Sequence, residues 1–168
     1  MPPPWGMGGI LVVNDEPQEY FADAFTPEDE AVLDFQIGNS AGQQVAEALA
    51  VLTACRLWRT HRLHRRFGLM VQSDSISALT LLVHCRVHGG VGVSVIACEL
   101  ALDLAEGVYR PALGAHIPGI TNLSADALSR WTAPGGKSVL PPSLMRARRV
   151  HPEQRSRVWW RTLAPPPA

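Results

Sequence analysis

The sequence predicts a mixed α/β domain followed by a tail. Three observations lead there. Two short apolar runs flank a polar turn at the start; three later segments stay apolar over helical lengths; and short strand-like runs stand directly before two of the helices. The resulting order is β-β, helix, β, helix, helix, β, helix. With 168 residues, 46% of them hydrophobic, the chain is long enough for one domain with its own core.

"WGMGGILVVNDEPQEYFAD" reads as a hairpin: an apolar run from Ile10 to Val13, a turn at Asn14, Asp15, Glu16 and Pro17, and a return through Tyr20 and Phe21. Pro27 to Ser40 is acidic and reads as irregular. "QQVAEALAVLTACRLWRTH" is apolar on nearly every face, which predicts a buried helix. Phe67, Leu69 and Val71 alternate through a short strand that stops at Gln72, and a helix then starts behind Ser73 or Asp74 and closes at Gly89 and Gly90. In the next helix Val93, Ile96, Leu100 and Leu104 form an apolar stripe, while Glu99, Asp103, Glu106 and Arg110 form a polar one expected to face solvent, until Pro111 ends the run. A strand from Ala112 to Ile117, a Pro-Gly turn and a helix from about Asn122 to Trp131 complete the series.

Met-Pro-Pro-Pro lacks the basic start and apolar stretch of a secretory signal, and no run of about 18 apolar residues is present, so an intracellular protein with no membrane span is expected. Cys55, Cys85 and Cys98 are far apart and form no C-x-x-C pair, which predicts neither disulfides nor zinc. The net charge of zero hides an asymmetry: residues 1–130 hold 8 Lys/Arg against 14 Asp/Glu, and residues 131–168 hold 7 against 1. The basic tail is rich in Pro and Gly and lacks a sustained apolar period, so residues 132–168 read as a disordered linker or arm. Its arginines, interleaved with Trp159 and Trp160, offer an alternative use: holding nucleic acid by phosphate attraction and base stacking.

Three carboxylates stand in expensive places. Glu47 is the only charged residue between Val45 and Cys55, and a carboxylate in so apolar a helix needs a partner, a cation or a rim of solvent. Asp74 lies just past a strand end, where α/β sheets place functional groups and where an ordinary helix N-cap also stands. Asp126 lies in the first turn of its helix, where the macrodipole alone favours a negative charge. Gathered at one sheet edge without matching cations, the three would suit a hard divalent cation with oxygen ligands, Mg²⁺ above all.

"HIPGITNLSADALSR", His116 to Arg130, closely resembles the ending of the ribonuclease H domains of reverse-transcribing retroelements: a strand, Ile-Pro-Gly, Asn, then Ala-Asp-Ala-Leu-Ser-Arg. "AEALAVL" and "QSDSISAL" are weaker matches in the right order. The resemblance covers residues 1–131 and implies the ribonuclease H-like fold, a mixed five-stranded sheet flanked by helices. It implies two-metal hydrolysis of the RNA strand of RNA·DNA hybrids, with Mg²⁺ as cofactor and Mn²⁺ as a substitute. It also implies reverse transcriptase and integrase as neighbouring polyprotein domains of an LTR-retrotransposon-like element. Residue by residue, Glu47 takes the place of the carboxylate on the first long helix, Asp74 that at the central strand end, and Asp126 that near the C-terminus.

The first catalytic aspartate of that family has no counterpart here. Alignment puts it at Met1, no acid precedes Asp15, and Asp15 belongs to the far end of the strand. Impaired hydrolysis, or an inactive nucleic-acid-binding remnant, is the expectation. Contacts to the hybrid are assigned to Asn122 and to the basic run "RLWRTHRLHRR" through Arg59, Arg62, Arg65 and Arg66, for which the alternative is a helix C-terminus that favours cations. His61 and His64 lack nearby ligands for a metal, and His116, inside its strand, is not assigned a catalytic role.

Overall fold

The computed structural model describes residues 4–59, 70–84, 90–106, 113–119, 122–136 and 138–163. The chain opens with β1 (Gly6–Val13) and β2 (Glu16–Ala24), paired antiparallel from Gly6↔Ala24 to Val13↔Glu16. Asn14 (φ 53°) and Asp15 (φ 64°) turn the chain. Two successive left-handed residues match the right-handed twist of a hairpin, and Asn and Asp tolerate that conformation best after Gly.

The first half of the acidic stretch after the hairpin, Pro27–Leu33, is helical, contrary to its reading as irregular, while residues 34–39 are irregular as read. In α1 (Pro27–Leu33), Thr26 accepts from the Asp29 amide at 3.2 Å, and the Asp29 carboxylate accepts from the Thr26 amide at 2.8 Å. This reciprocal cap, with Pro27 at the first helical position, starts the helix. The buried helix α2 (Gln43–Leu57) follows, burying Ala46, Leu49, Leu52 and Cys55 among others. Next come β3 (Met70–Ser73), α3 (Ile76–His84), α4 (Val91–Ala105), β4 (Leu113–His116) and α5 (Leu123–Ser129). A two-residue strand, β5 (Arg148–Arg149), lies in the tail. No described helix is long and apolar enough to cross a membrane.

Five strands are present among the described residues, but not in one sheet. The described residues form a three-stranded sheet in the order β1-β2-β5 and a separate parallel pair β3-β4. The expected single five-stranded sheet is thus replaced by a three-plus-two arrangement within a mixed α/β fold. The capping box and Pro27 commit the segment after β2 to a helix, so the outer edge of β2 receives its third strand from the tail, which runs parallel to it with Glu19↔Arg148 and Tyr20↔Arg149.

The main core lies between the hairpin face bearing Met7 and Phe21 and helices α1 to α4. A second cluster, Tyr20, Ala22, Leu128 and Leu144, joins the other face of the hairpin to α5 and the tail. Gly8 makes this approach possible: a Cβ there would stand 2.4 Å from Leu128 Cβ and 3.0 Å from the Ser129 amide. Gly8→Ala is expected to push α5 off β1 and to cost roughly 1–3 kcal/mol, read as a lowered urea midpoint at an unchanged slope.

Two further readings are corrected. Val93, Ile96 and Leu100 of α4 face inward as expected, yet Glu99 and Asp103 are buried too, at 0% and 1% exposure. The tail is not a loose arm over residues 138–163. Leu144 and Trp160 are fully buried, Trp159 nearly so, and Arg155 is 3% exposed. The physical reason is charge pairing between an acidic body and a basic segment. Arg155 meets Asp29 and Asp23, Arg161 meets Asp103 and Glu106, and Arg148 meets Glu19. Trp159 and Trp160, edge to face at 4.8 Å, supply the apolar burial that such pairs lack by themselves.

Candidate functional site

Asp74 follows β3 directly, and its position is fixed from both sides. Ser73 pairs with His116 of β4, and the Ile117 amide donates to the Ser73 carbonyl at 3.0 Å. The cap of α3 is supplied by Ser75, whose Oγ accepts from the Ala78 amide at 3.2 Å. Asp74 is therefore not needed as the cap. Its Oδ1 instead accepts from Asn122 Nδ2 at 3.1 Å, and its Oδ2 lies 3.3 Å from where a Cβ on Gly119 would stand. The Ile-Pro-Gly turn is thus folded against the strand-end carboxylate.

Asn122 precedes α5 but makes no side-chain cap bond, because its amide is turned to Asp74. Its carbonyl accepts from the Asp126 amide at 3.0 Å. One residue therefore ties Asp74 and the first turn of α5 into one corner. The Asp126 carboxylate is engaged by Arg130, with Nε and Nη2 at 3.1 and 2.9 Å from Oδ1 and Nη2 at 2.7 Å from Oδ2. Both partners are about half exposed, so this pair, four residues apart on the helix, is worth only about 0.3–0.5 kcal/mol and exchanges readily for another partner.

Glu47 is half-buried on α2 and accepts from Gln43 Nε2 at 2.9 Å. The Gln43 carbonyl oxygen is buried without a donor among the described residues. No bond links Glu47 to the Asp74 corner among the described residues, and no three His, Cys, Asp or Glu side chains there are grouped as a metal centre would group them. The donor chemistry does suit Mg²⁺, which keeps most of its waters and takes one or two carboxylates plus substrate phosphates. Asp74 meets that requirement best, since its only described partner is a neutral amide.

Of the cations assigned to the hybrid, Arg59 is half exposed and loosely paired with Glu153 at 3.4 Å. Arg62, Arg65 and Arg66 lie outside the described residues, as do His61 and His64.

A second set of buried charges is one the sequence did not single out. Arg56 donates to Glu99 at 2.6 Å, to Asp103 at 2.7 and 3.0 Å, and to the Trp159 carbonyl at 2.9 Å. Glu99 also accepts from the amides of Arg161 and Thr162 and from Thr162 Oγ1. Burial opposes the Arg56 charge, but its hydrogen bonds to Asp103 and then to Glu99 outweigh it and hold the guanidinium above its ordinary range. These carboxylates are consumed in anchoring the tail and are not available to a substrate. The available signal was the spacing of Glu99 and Asp103, one turn apart on α4, together with Arg56 at the end of the apolar helix α2.

Comparison of the chain with protein-family models, with curated proteins and with solved structures finds no significant match.

Proposed function

We propose that this chain is a ribonuclease H-like domain of a retroelement polyprotein that acts on RNA·DNA hybrids, cutting the RNA strand. The observation that carries the reading is the 3.1 Å hydrogen bond from Asn122 to Asp74, which brings the specific His-Ile-Pro-Gly-to-Arg130 motif onto the carboxylate at the strand end. Asp74 and Asp126 would hold a divalent cation, with Glu47 as the third carboxylate of the set. Bound Mg²⁺ would supply an activated water and stabilise the leaving oxygen. Asn122 fixes the orientation of Asp74, and Arg130 neutralises Asp126 while no cation is there.

The test is cleavage of an end-labelled RNA·DNA hybrid by the full chain with and without Mg²⁺. Slow, Mg²⁺-dependent loss of the RNA strand is expected, and an N-terminally extended chain with Asp in place of Met1 should be faster. An RNA strand left intact by both would reject hydrolysis. A second reading, hybrid binding without hydrolysis, is favoured by one observation: both oxygens of Asp126 are taken by Arg130. It predicts retardation of the hybrid that is indifferent to Mg²⁺.

A further inference from the structure

We infer that Arg146 and Arg149 of the C-terminal segment, with Trp131, form a landing surface for the phosphate backbone of a nucleic-acid strand. The inference rests on the hybrid-directed reading above and names a surface outside the carboxylate corner.

The seven cations of the tail fall into distinct groups once folded. Arg155 and Arg161 are turned inward onto buried carboxylates, and Arg148 reaches Glu19. Lys137 lies outside the described residues. Arg146, Arg149 and Arg157 are exposed and have no carboxylate partner among the described residues. Of these, Arg146 precedes and Arg149 follows within two residues of Ala147, which packs against the second core cluster beside Leu128 and Leu144. That cluster lies directly under α5. A hydrogen bond of 2.9 Å between Ser124 and Ser143 ties the start of α5 to the same segment.

Strand geometry separates the two neighbouring arginines. Successive residues of β5 point to opposite faces. Arg148 goes to Glu19 on one side, and the Arg149 guanidinium lies 5.1 Å over the Trp131 ring. Trp131 in turn packs edge-on against Tyr20 at 6.2 Å. Arg149 therefore stands on the face that carries α5, over Trp131, which lies two residues past the end of that helix.

Asp126 is balanced by Arg130, so Arg149, with the exposed Arg146 three residues before it, leaves an uncompensated positive charge. An arginine held over an indole ring is already partly ordered, loses less rotamer freedom on meeting a phosphate, and keeps outward N–H groups to donate. Such a pair suits a repeating anion. In this fold, then, it is Arg146 and Arg149 that reach a strand, and Trp159 and Trp160 are interior.

The experiment is fluorescence anisotropy of a labelled RNA·DNA hybrid with the full chain in EDTA, repeated across a series of NaCl concentrations. Arg146→Ala and Arg149→Ala should each weaken binding about five- to tenfold near 0.1 M salt and lower the slope of log K against log[salt] by about 1. Arg157→Ala, an equally exposed charge between the Arg155 and Trp159 contacts, should change neither. Both surface variants should melt with the wild type, since neither side chain is buried. A double variant with the wild-type slope, or a wild-type chain that does not bind the hybrid, would overturn the inference. Because no divalent cation is present, a failure of the hydrolytic reading, seen as cleavage indifferent to Asp74, leaves this result standing.

Discussion

Arg155→Ala is expected to destabilise the domain by roughly 3–5 kcal/mol, the cost of leaving a buried carboxylate without its cation. Arg155 Nε lies 2.9 and 3.0 Å from the two Asp29 oxygens, its Nη2 donates to Asp29 and to the Ala24 carbonyl, and its Nη1 reaches Asp23. Asp29 is 0% exposed, so water cannot replace what is lost. Against a typical total stability of about 5–15 kcal/mol, the loss is large enough to unfold part of the population. Urea unfolding followed by tryptophan fluorescence measures it. Arg155→Lys keeps the charge but not the two-pronged geometry and should recover only part of the loss. The pair Asp29→Asn with Arg155→Met should cost less than Arg155→Ala alone, because it leaves no fully buried unpaired charge, and Asp23, 36% exposed, can be solvated. A midpoint for Arg155→Ala equal to that of the wild type would mean that the tail does not dock in solution.

The second large effect concerns Asp74. Asp74→Asn is expected to reduce Mg²⁺-dependent cleavage of the hybrid by at least about a hundredfold, several kcal/mol of transition-state stabilisation. Stability should move by less than about 0.5 kcal/mol, since Ser75 caps α3 and an Asn at position 74 still accepts from Asn122. Asn122→Ala leaves the carboxylate but removes its orienting donor, and about 10- to 100-fold is expected there, with a weakened Mg²⁺ dependence as the distinguishing sign. Cleavage unchanged in Asp74→Asn would remove Asp74 from the site.

How much of this was legible depended on whether the partners were local. The hairpin, α2 and the inward stripe of α4 follow from periods and turns within a few residues, and they were readable. So was α1 in principle: Thr26 and Asp29 have the spacing of a capping box, but four acids and a proline give the stretch the look of a loop. The corner at Asp74 was reached through the motif rather than through spacing, since Asn122 lies 48 residues away. Glu99 and Asp103 were misassigned to solvent because their polarity is satisfied by Arg56 and by a segment about 60 residues downstream. Arg155, set among Glu153, Gln154 and Ser156, carries no local mark of burial at all.

The docking of the tail also fixes when the domain can be completed. Arg155 closes on residues that stand 126 to 132 positions earlier, and Leu144 and Trp160 fill clusters begun by the hairpin. During synthesis, at about 5–20 residues per second, the hairpin and α1 wait several seconds for these partners. Until the last turns leave the ribosome, Asp29 lacks Arg155 and the outer edge of β2 has no third strand. Such late, long-range closure slows folding and leaves the nascent hairpin exposed to pairing with other chains.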